Sequence, residues 1–551
     1  MGVSKISKVR ITFLKEDIEE VVKQLFTFKE FHPTEEPPFS EDYRIIKLKS
    51  RAFELYSMLN RIIDGLKAEY DFEVYIEPKE KITLNPTNWT QLMDLIETKK
   101  NQIELKVSAG ARLSERDLIA LLALKEASLT VFDALRRIRV KQELRYGLTI
   151  EGFIPSKLGD KFKGEFSKWL HFVQPIRKDR WAPYVPTLLT NPKFIKLFEN
   201  ITLAQGMPKY REIDPTPFIA FIFPLFYGIM FPDLGQGLLL ILFGKIISTK
   251  KKRKFKYWGK MLMTLGVSSS IVGVITGSFF GLEFGKTFWT LPSLRVFEDG
   301  TINTGVFIFI LMATIIIGTY HLMSAYLLAF VNKLRAGKYI DAFTNHLATM
   351  VMYASSIPFA LSLIGSGQRV ENILTSTNPT PLFAQLGFDI PSSMIAMISL
   401  PLLSASILTV VFGRAITSLR HKDHKFSSEL KQGITDVSFR SFEFFTNTLS
   451  YLRLGILLMM HSILMVLVNG AWTLGFLGLP LIVLGNILVI VLEGFVVYIQ
   501  DLRLHYYEWF TKFYEGGGIP FTYLQRETQF VEIKFGDRKD QPEPIMVKAV
   551  S

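Results

Sequence analysis

The feature that most constrains this chain of 551 residues is a series of long apolar runs, which begins at Pro217 and is interrupted by short polar loops. A helix rises about 1.5 Å per residue, so roughly 20 apolar residues cross about 30 Å of hydrocarbon. Eight runs stand out along the chain, at 217–231, 234–247, 261–284, 306–331, 347–364, 394–412, 437–472 and 481–513. The sequence therefore predicts an all-α membrane domain with eight transmembrane helices.

The runs differ in length. The first two, at 217–231 and 234–247, are too short to cross a bilayer unaided, so each must lean on a neighbour or borrow flanking residues. The last two, at 437–472 and 481–513, are much longer than a bilayer requires. Helices of that size are on the order of 50 Å long, so the last two are expected to be strongly tilted, kinked or extended beyond the bilayer.

Loop charges predict how the chain is oriented. Loops rich in Lys and Arg remain on the cytoplasmic side of a membrane. The loops 249–260, 332–345 and 414–440 carry 16 Lys and Arg residues, whereas the opposite loops 285–305, 368–392 and 473–480 carry 3. With an even number of spans, the N-terminus and the C-terminus are both expected in the cytoplasm. The net charge of +13 fits this topology in the lipid bilayer better than nucleic-acid binding.

Residues 1–200 are rich in charge and are expected to form a water-facing domain of α/β lobes. Alternating apolar residues predict a strand at 8–14, and a helix is predicted at 17–28. A second α/β lobe is expected at 148–176. The N-terminus lacks the apolar core of a signal peptide, so we expect this domain to stay on the side where it is made.

Two long helices are predicted between these lobes. One apolar stripe follows residues 42–68, and another follows 114–145, where Ser114 and Asp117 have the spacing of a capping pair. The two helices are expected to form an antiparallel pair. The pattern alone fits two helices of an ordinary globular domain equally well.

An arginine lies in the middle of the seventh run. Arg453 is near the centre of 437–472, too far from either end for its side chain to reach water easily. A guanidinium at mid-bilayer costs a few kcal/mol on insertion scales, so it is expected to face a partner or a water-filled cavity. The structural alternative is an ion pair with a carboxylate such as Glu443.

The eighth run repeats this pattern of polar residues. Glu493 and Gln500 are seven residues apart and share a helix face, and Arg503 lies just round from that face. A second cation in a neighbouring apolar helix favours a functional role. We expect Glu493 and Gln500 to line an ion path.

The polar residues fall into two sets around Arg453. Because the seventh helix runs outward, His461 is expected about 12 Å outside Arg453. Glu493 precedes Arg503 on a helix that runs inward, so it also lies outward, whereas Glu443 lies inward. This arrangement predicts two half-channels separated by a charge that persists at physiological pH. That positive charge would favour the ionised form of a mobile carboxylate beside it, and a partner must supply this carboxylate.

Several motifs carry a resemblance to a known family. The two longest are TNTLSYLRL at 446–454, with a histidine eight residues after the arginine, and LRLHYYEWF at 502–510, followed by KFYEGGG at 512–518. Shorter ones are DPTP at 214–217, Asp233 with Gly235 and Gly237, SFFG at 278–281 and GFIP at 152–155. Over nearly its whole length the chain resembles the membrane subunit called a in vacuolar-type ATPases and I in A/V-type ATP synthases.

The resemblance implies a stator. In this family a cytoplasmic region of two lobes joined by a coiled coil binds peripheral stalks and the central-stalk collar, and two tilted helices lie against a rotating proteolipid ring. It implies that Arg453 faces the ring carboxylate, that Arg503 supports it, and that His461 and Glu493 belong to the outer half-channel. Glu443 as an inner-channel residue is an inference from position.

The expected organisation is a cytoplasmic stator domain at 1–200, an ion-translocating membrane domain at 201–524 and a cytoplasmic tail at 525–551. No cofactor, metal or nucleotide site is expected. The sequence GLEFGKT at 281–287 is one residue short of a phosphate loop, and His421 and His424 fit a solvated loop better than a metal site. With no cysteine, thiolate chemistry is excluded.

Two other functions remain open at this point. A stand-alone proton-coupled secondary transporter would need its own substrate site near the midplane, usually built on internal repeats, and no duplicated segment is evident among the eight runs. A purely structural anchor would tolerate replacement of Arg453.

Overall fold

The computed structural model describes residues 2–34, 42–70, 81–109, 113–142, 147–176, 184–250, 252–283, 297–298, 301–302, 304–367, 370–380, 389–420 and 426–536. Contacts divide the chain into two compact units. The front unit consists of Val3–Leu189 and Gly518–Ser551, and the helical unit consists of Met1–Gly2 and Thr190–Gly517.

The front unit contains an antiparallel sheet and a group of helices. Its strands are β1 Ile6–Leu14, β2 His32–Pro33, β3 Ile82–Leu84, β4 Lys141–Gln142, β5 Gly147–Pro155, β6 Leu170–Pro175, β7 Pro186–Thr187, β8 Ile519–Pro520 and β9 Val531–Ile533. Its helices are α1 Ile18–Phe28, α2 Tyr43–Tyr70, α3 Trp89–Ser108, α4 Glu115–Arg137 and α5 Gly159–Glu165. The strand and the helix predicted at the N-terminus are confirmed as β1 and α1.

One sheet joins strands from the beginning and from the later part of Val3–Leu189. Strand β1 pairs with β5 on one side and with β6 on the other, and β5 also pairs with β2 and β4. The prediction of a separate second lobe at 148–176 is therefore wrong. Its strands close a sheet with β1, which lies far earlier in the chain, and such long-range pairing leaves no local trace in the sequence.

Helices α2 and α4 pack against each other in antiparallel order. The rings of Phe53 and Phe132 are 5.1 Å apart, and the Lys125 ammonium lies 5.9 Å from the centre of the Tyr56 ring, so positions that rise along α2 fall along α4. Ser114 and Asp117 form the predicted capping box at the start of α4. Helix α3 was not predicted, and it contacts both partners.

The C-terminal segment, residues 518–536, belongs to the front unit. Strand β9 pairs in parallel with β3, β8 pairs in parallel with β7, and Leu524, Val531 and Ile533 are buried in the front unit's core. The Glu126 carboxylate accepts the backbone N–H groups of Gln529 and Phe530 at 2.7 Å each. Residues 525–536 of the expected tail are thus ordered in this unit, and 537–551 lie outside the described residues.

The helical unit is built almost entirely of helices. They are α6 Lys193–Lys196, α7 Glu199–Ala204, α8 Thr216–Met230, α9 Leu234–Ser248, α10 Arg253–Thr276, α11 Thr304–Arg335, α12 Tyr339–Asp341, α13 Ala348–Gly365, α14 Ser392–Arg420, α15 Phe426–Ser450, α16 Leu452–Asn469, α17 Leu479–Leu488 and α18 Gly494–Arg503. Short strand pairs lie at Ser278–Phe279 with Leu282–Glu283, and at Phe297–Glu298 with Thr301–Ile302.

Several of these helices suit a membrane. Within the described ranges, five helical stretches are long and apolar enough to cross one: Lys254–Thr276, Thr304–Arg335, Tyr339–Gly365, Ser392–Gly413 and Leu430–Lys512. Helices α8 and α9 are also apolar but shorter. The fold is therefore mostly helical, with several candidate membrane helices after an N-terminal sheet.

The last stretch is not a continuous α-helix. At Tyr451, between α15 and α16, the backbone keeps helical angles, but the α-helical hydrogen bonding breaks, since the Tyr451 and Leu454 N–H groups bond three residues back. The chain leaves the helical path at Gly475, where φ is 59° and ψ is −135°. Wider π-helical turns at Val489–Glu493 and Leu504–Trp509 flank α18. Such turns are frequent at functional sites. Here one contains Glu493, and the other contains Glu508 and directly follows Arg503.

Candidate functional site

Two segments of the helical unit run side by side and carry the predicted site. One is α15 with α16, and the other extends from α17 through α18 to Lys512. Three pairs of titratable side chains join the segments: Glu443 with Lys512, Arg453 with Glu508, and His461 with Glu493. Residue numbers rise on one segment while they fall on the other, so the segments are antiparallel and the pairs form three successive levels.

Arg453 occupies the middle level. It is the second residue of α16, immediately after the break at Tyr451, and one of its terminal nitrogens lies 3.9 Å from a Glu508 oxygen. That distance exceeds a hydrogen bond, so the contact is a loose charge interaction. The side chain is 19% exposed. Its other terminal nitrogen, Nη1, is buried without a hydrogen-bond partner in the described part of the chain.

Glu443 does not pair with Arg453. Its carboxylate accepts a hydrogen bond from the Lys512 ammonium, which is almost fully buried. The structural alternative, an Arg453–Glu443 ion pair, is therefore wrong in its choice of carboxylate. Glu508 is the acid beside Arg453, and sequence reasoning missed it, although it lies within the second arginine motif.

His461 and Glu493 form a tight, buried pair. Nδ1 of His461 lies 3.0 Å from a Glu493 oxygen, and the two side chains are 2% and 7% exposed. The Phe231 ring packs edge-to-face against the imidazole, with ring centres 4.8 Å apart. Sequence position placed both residues on the same side of Arg453, and the structure joins them directly.

Gln500 and Arg503 stand apart from these pairs. Gln500 is half-buried, and its side-chain oxygen has no partner among the residues that the structure describes. Arg503 ends α18 with an exposed side chain. The charges of Glu508 and Arg503 both act on Arg453. Glu508 in turn interacts with the charges of both arginines.

A buried aromatic and histidine cluster includes Tyr451, two residues before Arg453, and Trp509, the residue after Glu508. The Tyr451 hydroxyl is 2.7 Å from Nδ1 of His321, whose ring stacks on Trp509 at 5.3 Å. His505 and Asp501, both fully buried, are 3.2 Å apart one helical turn from each other. Sequence reasoning gave His321 no role and did not single out Asp501, because their burial depends on which helices surround them.

Asp233 organises the loop next to α9. Its carboxylate accepts the backbone N–H groups of Gln236, Phe280 and Gly281 at 2.8–3.0 Å and the Ser278 hydroxyl at 2.9 Å. It therefore caps α9 and holds the turn at 278–281 at the same time. Through these four donors, one fully buried carboxylate links the start of α9 to the SFFG motif at 278–281.

Metal and nucleotide sites were not expected. Within the described ranges, no three His, Asp or Glu side chains are grouped to hold a metal ion. His421 and His424, and residues 284–287 of the sequence that resembles a phosphate loop, lie outside the described residues.

Comparison with known proteins adds a second line of argument. Residues 19–275 match the V-type ATPase 116kDa subunit family. A-type ATP synthase subunit I of Saccharolobus solfataricus is 30% identical over 443 residues, which cover 71% of this chain and 62% of that protein. The chain belongs to this family. Subunit I of Methanocaldococcus jannaschii is 26% identical over 96% of this chain and 76% of its own length.

The chain spans only part of the length of the relatives it matches. It spans 62% of the Saccharolobus solfataricus protein and 60% of A-type ATP synthase subunit I of Archaeoglobus fulgidus, which is 28% identical over 437 residues. A V-type ATP synthase subunit I of Treponema pallidum is 38% identical, but over only 18% of this chain. The family and the apolar helices identify the chain as a membrane-embedded protein.

Proposed function

We propose that this chain is the ion-translocating stator subunit of a rotary A/V-type ATPase or ATP synthase. The observation that carries the proposal is the placement of Arg453 between two other levels of titratable side chains. One level is Glu443 with Lys512, and the other is His461 with Glu493. The relatives' names, subunit I of ATP synthases, agree with a rotary machine.

The chemistry of Arg453 suits a divider between two half-channels. A guanidinium stays protonated at physiological pH, so its charge does not depend on which half-channel is filled. Glu508 engages it only loosely, and part of the side chain is exposed, so the charge is available to an external carboxylate. A proteolipid ring supplies that carboxylate, whose ionised form Arg453 favours.

The other site residues take roles by level. Glu443 lines the inner half-channel, and Gln500, which lies between the middle and outer levels on its segment, lines the approach to Arg453. His461 and Glu493 line the outer half-channel, where a buried acid and imidazole can exchange a proton through their short contact. Arg503 supports Arg453 by adding positive potential beside the ring.

Eight membrane spans fit the apolar helices. The stretch Leu430–Lys512 contains the break at Gly475, and the contact between His461 and Glu493 joins the parts before and after it. Counting it as two long, tilted spans and including the short α8 and α9 gives eight. Both termini are then cytoplasmic in a multi-pass cell-membrane protein, as the loop charges favour.

The front of the chain serves as the stator's cytoplasmic attachment. We assign it to residues 1–200, with the membrane domain at 201–524 and a cytoplasmic tail at 525–551. The antiparallel packing of α2 on α4 supports a coiled coil, which peripheral stalk and central-stalk collar subunits bind. The chain acts as a non-catalytic subunit with no cofactor or nucleotide site of its own and no role in nucleic-acid binding.

The test is replacement of Arg453 in the assembled complex. Arg453→Ala and Arg453→Lys are expected to abolish ATP-driven ion pumping into vesicles, because neither restores a fixed guanidinium beside the ring. Lys431→Ala, which removes an exposed cation on α15, is the matched control and is expected to pump normally. Each complex must contain the same subunits as the parent.

The outcomes separate the three candidate functions. Pumping retained with Arg453→Ala or Arg453→Lys removes the translocation role and favours a structural anchor. Ion transport by the purified chain alone, in vesicles without proteolipid partners, favours a secondary transporter instead.

A further inference from the structure

A second polar contact lies next to the His461–Glu493 pair. The Gln236 amide nitrogen of α9 donates to the Asn486 side-chain oxygen of α17 at 3.0 Å. Gln236 is fully buried and Asn486 is 8% exposed, although both belong to strongly apolar helices. Polar side chains inside such helices are costly and usually mark an interhelical contact or a path for an ion.

About two turns of α16 link the His461–Glu493 pair, this contact and the end of the helix at Asn469. His461, Met465 and Asn469 follow each other at intervals of four residues. The Gln236 nitrogen also lies 3.0 Å from the Met465 sulfur, and the Asn469 amide donates to the Phe280 carbonyl at 2.9 Å. The polar contacts therefore form a row along α16 from His461 to Asn469.

Polar atoms along this row lack protein partners. Nε2 of His461, one Glu493 oxygen and the Gln236 oxygen are all buried without a hydrogen bond to any described residue. Buried polar atoms are nearly always hydrogen-bonded, and leaving one unsatisfied costs about 1–3 kcal/mol. Three such atoms along one row offer the polar partners that buried water needs.

We propose that the side chains of Gln236 and Asn486 line a water-filled path that continues from the His461–Glu493 pair to Asn469. This inference rests on the proposed function and extends it, because it identifies how an ion reaches the outer pair. Asp233 acts as a positioning residue, since its carboxylate holds both the Gln236 backbone and the turn whose Phe280 carbonyl accepts from Asn469.

The chain offers a clean test, because it contains no cysteine. Gln236→Cys and Asn486→Cys are introduced singly, and the complex in vesicles is treated with a charged, membrane-impermeant methanethiosulfonate on either side. Leu240→Cys is the matched control: Leu240 is 5% exposed and lies one turn beyond Gln236 on α9. Thiols react as hydrated thiolates, so the two path positions are expected to label at least about tenfold faster than the control.

Every labelling result decides the matter. Fast labelling of both path positions from the side opposite the ATP-hydrolysing subunits, with a slow control, supports the path. Labelling of both as slow as at Leu240 shows a dry interhelical contact and overturns it. Fast labelling at only one path position, or at the control as well, also contradicts a continuous and specific path.

A pumping measurement complements the labelling. Asn486→Leu, which removes the amide and keeps the volume, is expected to lower ATP-driven pumping about tenfold, since a hydrated station is lost. Ile482→Leu, one turn earlier on α17, is the control and should pump normally. Full pumping by Asn486→Leu overturns the path. If Arg453→Ala still abolishes pumping in that case, the proposed function stands and only this inference fails.

Discussion

Acid is expected to loosen the C-terminal segment from the rest of the front unit. The reason is that the His32 side chain binds this segment while the imidazole is neutral. The Thr522 backbone N–H lies 3.1 Å from Nδ1 of His32, and Arg137 donates to the Thr522 and Tyr523 carbonyls at 2.8 Å each. Burial lowers the pKa of His32 to about 4; the Thr522 carbonyl opposes this shift, and the nearby Arg137 charge adds to it.

The size of the effect follows from this pKa. When the segment is released, His32 meets water and its pKa returns to 6.5. The attachment is therefore at full strength above pH 6.5 and weakens as the pH falls from 6.5 toward 4. Between pH 7 and pH 5 the loss is about 2 kcal/mol, which raises the released fraction about 20-fold.

Hydrogen–deuterium exchange of the full chain measures this release. The amides of Leu524, Gln529 and Phe530 are bonded to the rest of the front unit, so they exchange when the segment opens. After correction for the intrinsic exchange rate, their protection factors are expected to fall about 20-fold from pH 7 to pH 5. Amides in the centre of β1 serve as an internal reference.

His32→Gln provides the control, because glutamine keeps a hydrogen-bond acceptor but does not titrate. This variant is expected to lose the dependence between pH 7 and pH 5. Glu151 is not expected to add to the pH dependence. Burial raises the pKa of its carboxyl, but the cations Lys8, Arg10 and Lys141 lower it by more, so the group stays ionised at pH 5. Unchanged protection in the parent, or the same fall in His32→Gln, would refute the reasoning.

Two glycine substitutions test packing in opposite directions. A Cβ atom on Gly318 of α11 would lie 2.2 Å from the Tyr451 ring, so Gly318→Ala is expected to destabilise the helical unit by about 1–3 kcal/mol. Because Arg453 follows Tyr451 closely in the chain, pumping should fall as well, and unchanged melting and pumping would contradict this contact. In α2, Gly65→Ala meets no atom within 4 Å and should stabilise the front unit by about 0.5–1 kcal/mol in thermal unfolding. A lower melting temperature for Gly65→Ala would count against the helix described there.

The interruptions in the long helices bear directly on the site. Arg453 closely follows the break at Tyr451, and Glu493 and Glu508 lie within the two π-helical turns. A regular α-helix would rotate these two acids to other directions. The excess length of the last two apolar runs indicated tilt, a kink or extension, but it did not locate these irregular turns.

Much of this protein was already determined by the sequence. Apolar runs, the alternation in β1, the stripes of α2 and α4 and the Ser114 capping box depend on neighbouring residues, so local periodicity is enough to predict them. Arg453 was identifiable for the same reason, because a cation in the middle of an apolar run is costly wherever the chain places it.

Only the tertiary structure decided which distant residues meet. The pairing of β6 with β1, the return of residues 518–536 to β3 and the contact between Arg453 and Glu508 each join positions that are far apart in the sequence. The same holds for Gln236 and Asn486. Such contacts follow from how whole elements pack, and hydrophobic pattern encodes which face of an element is buried but not which partner covers it.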